Sequence, residues 1–497
     1  MYKNKMVIYD PVNEAVVFGK EREESGRSFF YAPGLSNELK QSILKIVNTF
    51  EFNRLRDLKQ AGLAYFVYPS ALHDRYSHSI GTYYLGYIAL RSVRVEISEN
   101  QEVSLEKWLD RLDLKEEFLV ALLLHDVGHL PFSHALEENR IFGKFKVPKH
   151  EEIACELILD KGDFCNFYKK CAESENKVLN TPKVHRLAEV LSGKPSKKID
   201  VQTLCYLISS EEKYLGNSVK NLNDRKTPPK VNEEDLRMLH NLVSGLIDFD
   251  RIDHYLRDSY FMGIKSGVNT KVLIESLIFS RDYKIKISDI GVPQVVNLLL
   301  LRDSFQTKYF RDLKLLSLQA MLNAAVEEYF KSLDDAQIEC KIREICHFND
   351  AELINFLFDN GSKSIKNIIL RIKNDLPYVP LQNDPISISN SMLKNKENLL
   401  KFLDDIIKKY RKYFSTNYFL LPVTSWKFGE DKKSNWLDLD NLKTEDGSPV
   451  STKFGFNNLI DYLKKASDEK LLWLFIENSD QNNIIINMLN EIKDGTR

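Results

Sequence analysis

Two common aids to classification are missing from this chain of 497 residues: an excess charge of one sign and a long apolar run. Lys and Arg number 70 and Asp and Glu 71, for a net charge of −1, so no global field draws the molecule to nucleic acid or to a membrane surface. Any basic site has to be local. Nothing approaches the ~18 consecutive apolar residues of a bilayer span, and the start, MYKNKMVIYD, lacks the apolar core of a secretory signal. Cysteine is scarce and unpatterned: Cys155, Cys165, Cys171, Cys205, Cys340 and Cys346 form no CxxC pair, and are expected as reduced thiols of a cytoplasmic protein rather than a disulfide framework. No repeat period is visible. With 43% hydrophobic and 28% charged residues the composition is that of an ordinary globular protein, and the length predicts two or three units.

What the chain does have is concentrated between Leu122 and Glu137, in LLLHDVGHLPFSHALE. Seven apolar residues, Phe118 to Leu124, run straight into His125-Asp126, and His129 and His134 follow within nine residues. A burying helix gains nothing from polar groups at its mouth, because each has to be desolvated. They point to metal ligation or proton transfer. His125 and His129 stand four apart and share a face while the helix lasts. Asp126, about 100° round from His125, still reaches an ion at the helix end. Gly128 and Pro131 then break the pattern, which lets the segment with His134 fold back across the site.

Two further segments carry groups of the same class. A helix expected from about Arg75 takes His78, Tyr84 and Leu85 into the interior. The stretch Leu239 to Gly263, read as one apolar helix, packs Asp248, Asp250, Asp253 and Asp258 into eleven residues among Leu242, Leu246, Phe249, Ile252 and Leu256. Acids on a mostly buried helix need a partner, and a cation is the obvious one. His78, His125-Asp126 and an aspartate of the last segment make two imidazoles and two carboxylates. That mixed set suits one divalent ion per site (Mn²⁺, Mg²⁺, Fe²⁺, Zn²⁺, Ni²⁺ or Co²⁺) and leaves positions for water or a phosphate oxygen.

Around these segments, Met6 to Phe18 alternates and turns at Asp10-Pro11 and Asn13, as a hairpin does. Gln60 to His73 reads as a loop or short strand that lays its backbone against something, and His150-Glu-Glu opens a helix. Ser209 to Asp235 is polar enough to be an exposed insertion. Tyr283, Ile285 and Ile287 alternate like a strand, a helix from Val295 is expected to reach Phe330, and two or three more helices follow to about 412. Leu471 to Asn478 is strand-like. The expected architecture is mainly α: a helical core over 1–275, a helical extension over 276–415 that completes the site, and an α+β segment over 416–497.

The order His, His-Asp, Asp resembles the HD phosphohydrolase superfamily. The segments DLKQAGLAYFVYPSALHDRYSHSIGT, LLHDVGHLPFSH, His150-Glu151 and IDFDRIDHYLRDS are similar to its deoxynucleoside triphosphate triphosphohydrolase branch, which includes the dGTPase-like enzymes and the animal enzyme with SAM and HD domains. The likeness covers about residues 6 to 320, with no SAM domain expected ahead of it. It implies an HD helical bundle in which His78, His125, Asp126 and Asp250 bind the metal, Asp250 because the ligand is the second acid of an Asp-x-Asp motif. It implies attack of a metal-activated water on the α-phosphorus of a dNTP, releasing deoxynucleoside and triphosphate.

The same resemblance gives His134, paired with Glu137, the proton-donor position, and His129 and His150 the phosphate-holding positions. Glu137 departs from the aspartate of the animal enzyme. Gln60, Arg75, Arg251, Asp258 and Lys308 match substrate contacts, with Arg302 and Arg311 as alternatives to Lys308 for the terminal phosphate. His254 stands where the family has a sugar-stacking tyrosine, and neighbouring Tyr255 is a substitute. A nucleotide effector and a homo-oligomer are further implied partners. The residues leave open a phosphohydrolase of nucleoside monophosphates or cyclic nucleotides. They also leave open a non-catalytic nucleotide sensor or nucleic-acid-binding module, though a near-neutral chain gives the latter little support.

Overall fold

The computed structural model describes residues 8–10, 12–13, 15–18, 35–99, 101–133, 136, 145, 147–179, 184–193, 199–224, 231–245, 247–280, 284–305, 309, 311–380, 386–387, 401–402, 405–406, 409, 421–424, 442–450, 471–476 and 483–496. Strands β1 (Ile8–Asp10) and β2 (Ala15–Phe18) pair antiparallel, with Asp10 opposite Ala15. Helices α1 (Asn37–Ile46) and α2 (Phe50–Asn53) follow, capped by the side chains of Ser36 and Thr49. Gln60 to His73 is a tight 3₁₀ turn at Gly62–Phe66, with one antiparallel bridge between Lys59 and Asp74. Asp74 then caps α3 (Arg75–Ser92) by accepting from the Ser77 amide at 2.7 Å.

Strands β3 (Arg94–Ser98) and β4 (Gln101–Ser104) lead through α4 (Leu105–Leu112) to α5 (Lys115–Leu124), the helix that carries the His-Asp pair at its end. Its residues Phe118 to Leu124 are all fully buried, and it is enclosed by α3 and by later helices. An apolar run without a polar stripe is what such enclosure demands.

Next come α6 (His150–Leu159), α7 (Asp163–Val178), α8 (Leu187–Ser192), α9 (Val201–Ser209), α10 (Glu212–Asn223), α11 (Glu233–Val243) and α12 (Phe249–Phe261). Two expectations change here. The polar stretch 209–235 is not simply exposed, since α10 buries Leu215, Ser218 and Leu222 beside α9 and α11. The stretch Leu239 to Gly263 is two helices, because the chain breaks after Val243 at Ser244-Gly245. Asp248 then starts α12 by accepting from the Arg251 amide at 2.6 Å and the Gly245 amide at 2.8 Å.

The rest comprises α13 (Thr270–Glu275), β5 (Leu277–Phe279), β6 (Ile285–Ile287), α14 (Val292–Ser304), α15 (Leu313–Phe330), α16 (Asp335–Cys346), α17 (Asp350–Asn360) and α18 (Lys363–Lys373). Residues Val295 to Phe330 thus form two helices rather than one. Asp312 caps the second by accepting from the Lys314 and Leu315 amides, a competing hydrogen bond that ends helical continuity. Strands β7 (Val379–Pro380), β8 (Ile386–Ser387), β9 (Leu421–Thr424), β10 (Lys443–Thr444) and β11 (Leu471–Ile476) and helix α19 (Asn483–Thr496) complete the described chain.

The fold is mainly α, as expected, with a single connected core running from Leu35 to Phe475. A five-stranded sheet in the order β10-β6-β5-β3-β4 ties three distant parts of the sequence together. All six cysteines are free thiols. Among the described residues no helix is long and apolar enough to cross a membrane.

Gly128 is a packing requirement of this core. A Cβ there would stand 2.1 Å from the His150 carbonyl oxygen and 2.5 Å from the Ala154 amide, both backbone atoms of α6. Gly128→Ala should therefore cost roughly 1–3 kcal/mol in urea unfolding, as overpacking does. A variant as stable as the parent would show that α6 can move away freely.

Candidate metal centre

α3, α5 and α12 meet at one point, and each brings a side chain that could ligate a metal ion to it. The Nε2 atoms of His78 and His125 are 3.2 Å apart. Asp250 Oδ1 lies 3.0 Å from the first and 3.5 Å from the second. Asp126 completes the set, with Oδ1 3.4 Å from His125 Nε2 and Oδ2 3.7 Å from His78 Nε2. The histidines and Asp126 are buried, whereas the Asp250 side chain is 31% exposed and marks the open side. All four residues expected as ligands are thus brought together.

The donor set fits a divalent cation. His125 Nδ1 donates to the Leu122 carbonyl at 2.8 Å, and His78 Nδ1 donates to Asp253 Oδ2 at 2.8 Å. With each Nδ1 engaged in this way, both Nε2 atoms turn toward each other and toward two carboxylates, and once deprotonated they offer lone pairs that a shared positive centre stabilises. A proton competes for those lone pairs. Burial opposes charge on His78, but hydrogen bonds with Asp250 and Asp253 and the charge of Asp126 prevail and raise its pKa to about 10. His125 is also raised, the charges of Asp126 and Asp250 overcoming burial. Burial pushes both ligand carboxyls upward, yet His125 and His78 hold Asp250, and Arg75, His129 and His125 hold Asp126, well below the usual carboxylate range.

Behind His78 stands a chain of alternating charge. Asp253 accepts from Arg257 Nε at 2.7 Å and from its Nη2 at 2.8 Å. The same guanidinium reaches Asp10, at the end of β1, at 2.9 and 3.1 Å. Arg257 is fully buried, and a Cβ on Gly81 would fall 2.1 Å from its Nη2. Glycine at 81 is what admits the Asp253–Arg257 pair to α3.

Arg75, expected at a phosphate, is buried behind Asp126, donating to its Oδ2 at 2.5 Å and to Ser133 Oγ at 2.8 Å. His129 Nε2 lies 3.1 Å from Asp126 Oδ1, and its ring stacks on His150 at 3.7 Å between centroids. Asp126, His129 and His150 thereby form a second convergent group of potential ligand atoms. Burial, reinforced by the charges of Arg75 and His150, holds His129 well below the usual imidazole range, so it is neutral at neutral pH. His134, Glu137 and Lys308 lie outside the described residues.

A second polar cluster adjoins the first, with the His254 ring 6.0 Å from that of His78. The Gln60 amide donates to His254 Nδ1 at 2.9 Å, and His254 Nε2 lies 3.5 Å from Asp258 Oδ2. Asp258 Oδ1 pairs with His73 Nε2 at 2.7 Å, and His73 stacks on Phe261. Burial and the charge of His78 lower the His254 pKa against the pull of Asp258. Arg251 is tied to Asp248 at 2.7 Å and to the Gly245 carbonyl. Tyr255 is buried against Phe305. Burial and the charge of Arg251 lower the Arg302 pKa, against Tyr255.

His73, Ser133, Arg257 and Asp10 were not assigned from the sequence. His73 sits in the ALHDRYSH run that yielded two other site residues, and Arg257 stands four after Asp253 on one helix face, so both had a local signal. Asp10 had none.

Two outcomes follow from this geometry. His78, raised to about 10, is protonated at neutral pH and has to lose that proton to bind an ion. Mn²⁺ affinity should therefore climb by about tenfold per pH unit for each proton displaced, until the pKa is passed. Calorimetry in buffers of differing ionisation enthalpy measures the release, and a pH-independent affinity contradicts it. Asp253→Asn should weaken Mn²⁺ binding by about 10–100-fold through loss of the His78 orientation. Unchanged affinity would show that the chain behind His78 is packing alone.

Residues 75–222 match the family model described as "HD domain"; Asp250 lies beyond the match. An uncharacterized protein of Methanocaldococcus jannaschii is 26% identical over 358 residues, covering 70% of this chain and 59% of that protein. Deoxynucleoside triphosphate triphosphohydrolase SAMHD1 of Mus musculus is 25% identical over 436 residues, covering 81% of this chain and 57% of that protein. The chain thus spans less than two thirds of the length of these relatives. The crystal structure of a hypothetical protein from Aquifex aeolicus, 19% identical, superposes with a TM-score of 0.57 over 99% of this chain and 100% of the other, which shows a shared fold. Residues 75–222 are thus similar to the HD domain, and His78, His125-Asp126 and Asp250 meet at one point in the order His, His-Asp, Asp.

Proposed function

We propose that this protein is a metal-dependent phosphohydrolase of the HD type that cleaves deoxynucleoside triphosphates to deoxynucleoside and triphosphate. The observation that carries the reading is the junction of two clusters: the His78, His125, Asp126 and Asp250 ligand set, and the Gln60–His254–Asp258–His73 cluster beside it. The likeness to SAMHD1, named a deoxynucleoside triphosphate triphosphohydrolase, supports the same substrate class.

A divalent ion held by the four ligands would neutralise charge on the phosphoryl oxygens and acidify a water. The chain's own residues do the rest. Arg75 offsets the negative charge of Asp126, so that the loaded set favours a polyanion. Neutral His129, at 3.1 Å from Asp126 and stacked on His150, offers imidazole hydrogen-bonding groups at the same edge without adding a full charge. Gln60 Oε1 and Asp258 Oδ2 are buried acceptors without a hydrogen bond among the described residues, which a sugar hydroxyl would satisfy. Arg251 and Arg302, whose charges oppose each other, favour an anion between or beside them. His134, oriented by Glu137, is the proposed donor to the leaving 5′-oxygen, with Lys308 at the terminal phosphate. The catalytic unit is proposed to span 1–275 with its extension over 276–415, followed by the 416–497 segment, and to work as a homo-oligomer.

Each dNTP and rNTP incubated with Mg²⁺, Mn²⁺ or Co²⁺, with products resolved by chromatography, tests the reading. Inorganic triphosphate is expected from at least one dNTP and should vanish in His125→Ala. Orthophosphate alone, or binding without turnover under every metal, sinks it.

A further inference from the structure

The loop His129–Ser133, which follows the His-Asp pair, contains two non-glycine residues in the left-handed region, Phe132 (φ 52°) and Ser133 (φ 53°). Each such residue costs of order 1 kcal/mol or more, so this backbone persists only if its surroundings over-determine it. Two side chains do that, and both act through one place outside the matched HD residues: the corner between α16 and α17.

Asp350, the first residue of α17, is buried. Its Oδ1 accepts from the Phe132 amide at 2.6 Å and its Oδ2 from the Lys59 amide at 2.8 Å. Arg54 donates to the His129 carbonyl at 2.6 Å, and also to the carbonyls of Cys346 at 3.0 Å, His347 at 2.7 Å and Phe348 at 3.2 Å. The charges suit their positions. A carboxylate sits at the positive start of α17, and a guanidinium sits on the negative end of α16.

The loop is thereby held at both ends, His129 by Arg54 and Phe132 by Asp350. Ser133, next to Phe132, accepts from Arg75 Nε at 2.8 Å, and the other arm of Arg75 holds the ligand carboxylate of Asp126 at 2.5 Å. We propose that the α16–α17 corner is a positioning element of the metal centre: Asp350 and Arg54 fix the His129–Ser133 loop so that Ser133 and Arg75 keep Asp126 turned toward the other ligands. Neither residue touches the reacting atoms. Arg54 and Asp350 lie in parts of the chain whose elements would otherwise be read as scaffold.

Asp350→Asn keeps the side chain's shape but turns one of its two acceptors into a donor facing an amide. In the full-length protein, amide exchange over 129–133 should speed up, and Mn²⁺ affinity should fall by about tenfold. Leu357→Ala, a buried core change on the same helix, serves as the stability-matched comparison. It should lower the unfolding midpoint at least as much while leaving Mn²⁺ affinity within about twofold. Wild-type Mn²⁺ affinity and exchange in Asp350→Asn overturn the proposal, and so does an equal affinity loss in Leu357→Ala. Should Asp350→Asn not fold, Arg54→Lys reads the loop from its other end by the same two measurements, with the same expected and contrary results. The turnover readout alone rests on the proposed triphosphohydrolase activity: kcat should fall by about tenfold with KM little changed. Failure of that activity shows as no triphosphate from the wild type and leaves the exchange and Mn²⁺ measurements to decide.

Discussion

Inside a mainly apolar helical core, this protein keeps a group of carboxylates that must each be matched by positive charge. Asp126 has Arg75, Asp253 and Asp10 share Arg257, and Asp250 faces His78 and His125, whose pKa values are both raised. Desolvating an ion costs several kcal/mol even after relaxation, so no member can lose its partner without a penalty larger than the pair's net worth. At Gly81 the absence of a Cβ leaves room for the Asp253–Arg257 pair against α3.

Much of the site was legible because its signals are local. The His-Asp pair ends an uninterrupted apolar run, His78 follows a capped helix start, and the acids of 248–258 sit among core residues. Each of these is a contradiction visible within a dozen residues. The mainly helical architecture was legible for the same reason, since i, i+3 and i+4 patterns need no knowledge of neighbours.

What could not be read falls into two kinds. Helix ends were missed where a side chain of ordinary appearance competes for backbone amides, as Asp248 and Asp312 do. The exposed polar face of α10 concealed the stripe of Leu215, Ser218 and Leu222 that it buries. The second kind is partnership across the chain. Arg257 and Asp10 are separated by 247 positions, and Asp350 and Phe132 by 218, so nothing near any of them in the sequence announces the other. The type of Arg75 was readable, but its bonds to Ser133 and to Asp126, 58 and 51 positions away, were not.

The pairing of Arg257 with Asp10 carries a further consequence. A guanidinium sealed inside the protein is tolerable only while the first strand stays docked, so lifting the β1–β2 hairpin and loosening the grip on His78 amount to one sub-global opening rather than two. The β1–β2 hairpin therefore sets a ceiling on how long the centre stays assembled. Residues hundreds of positions apart share a single lifetime.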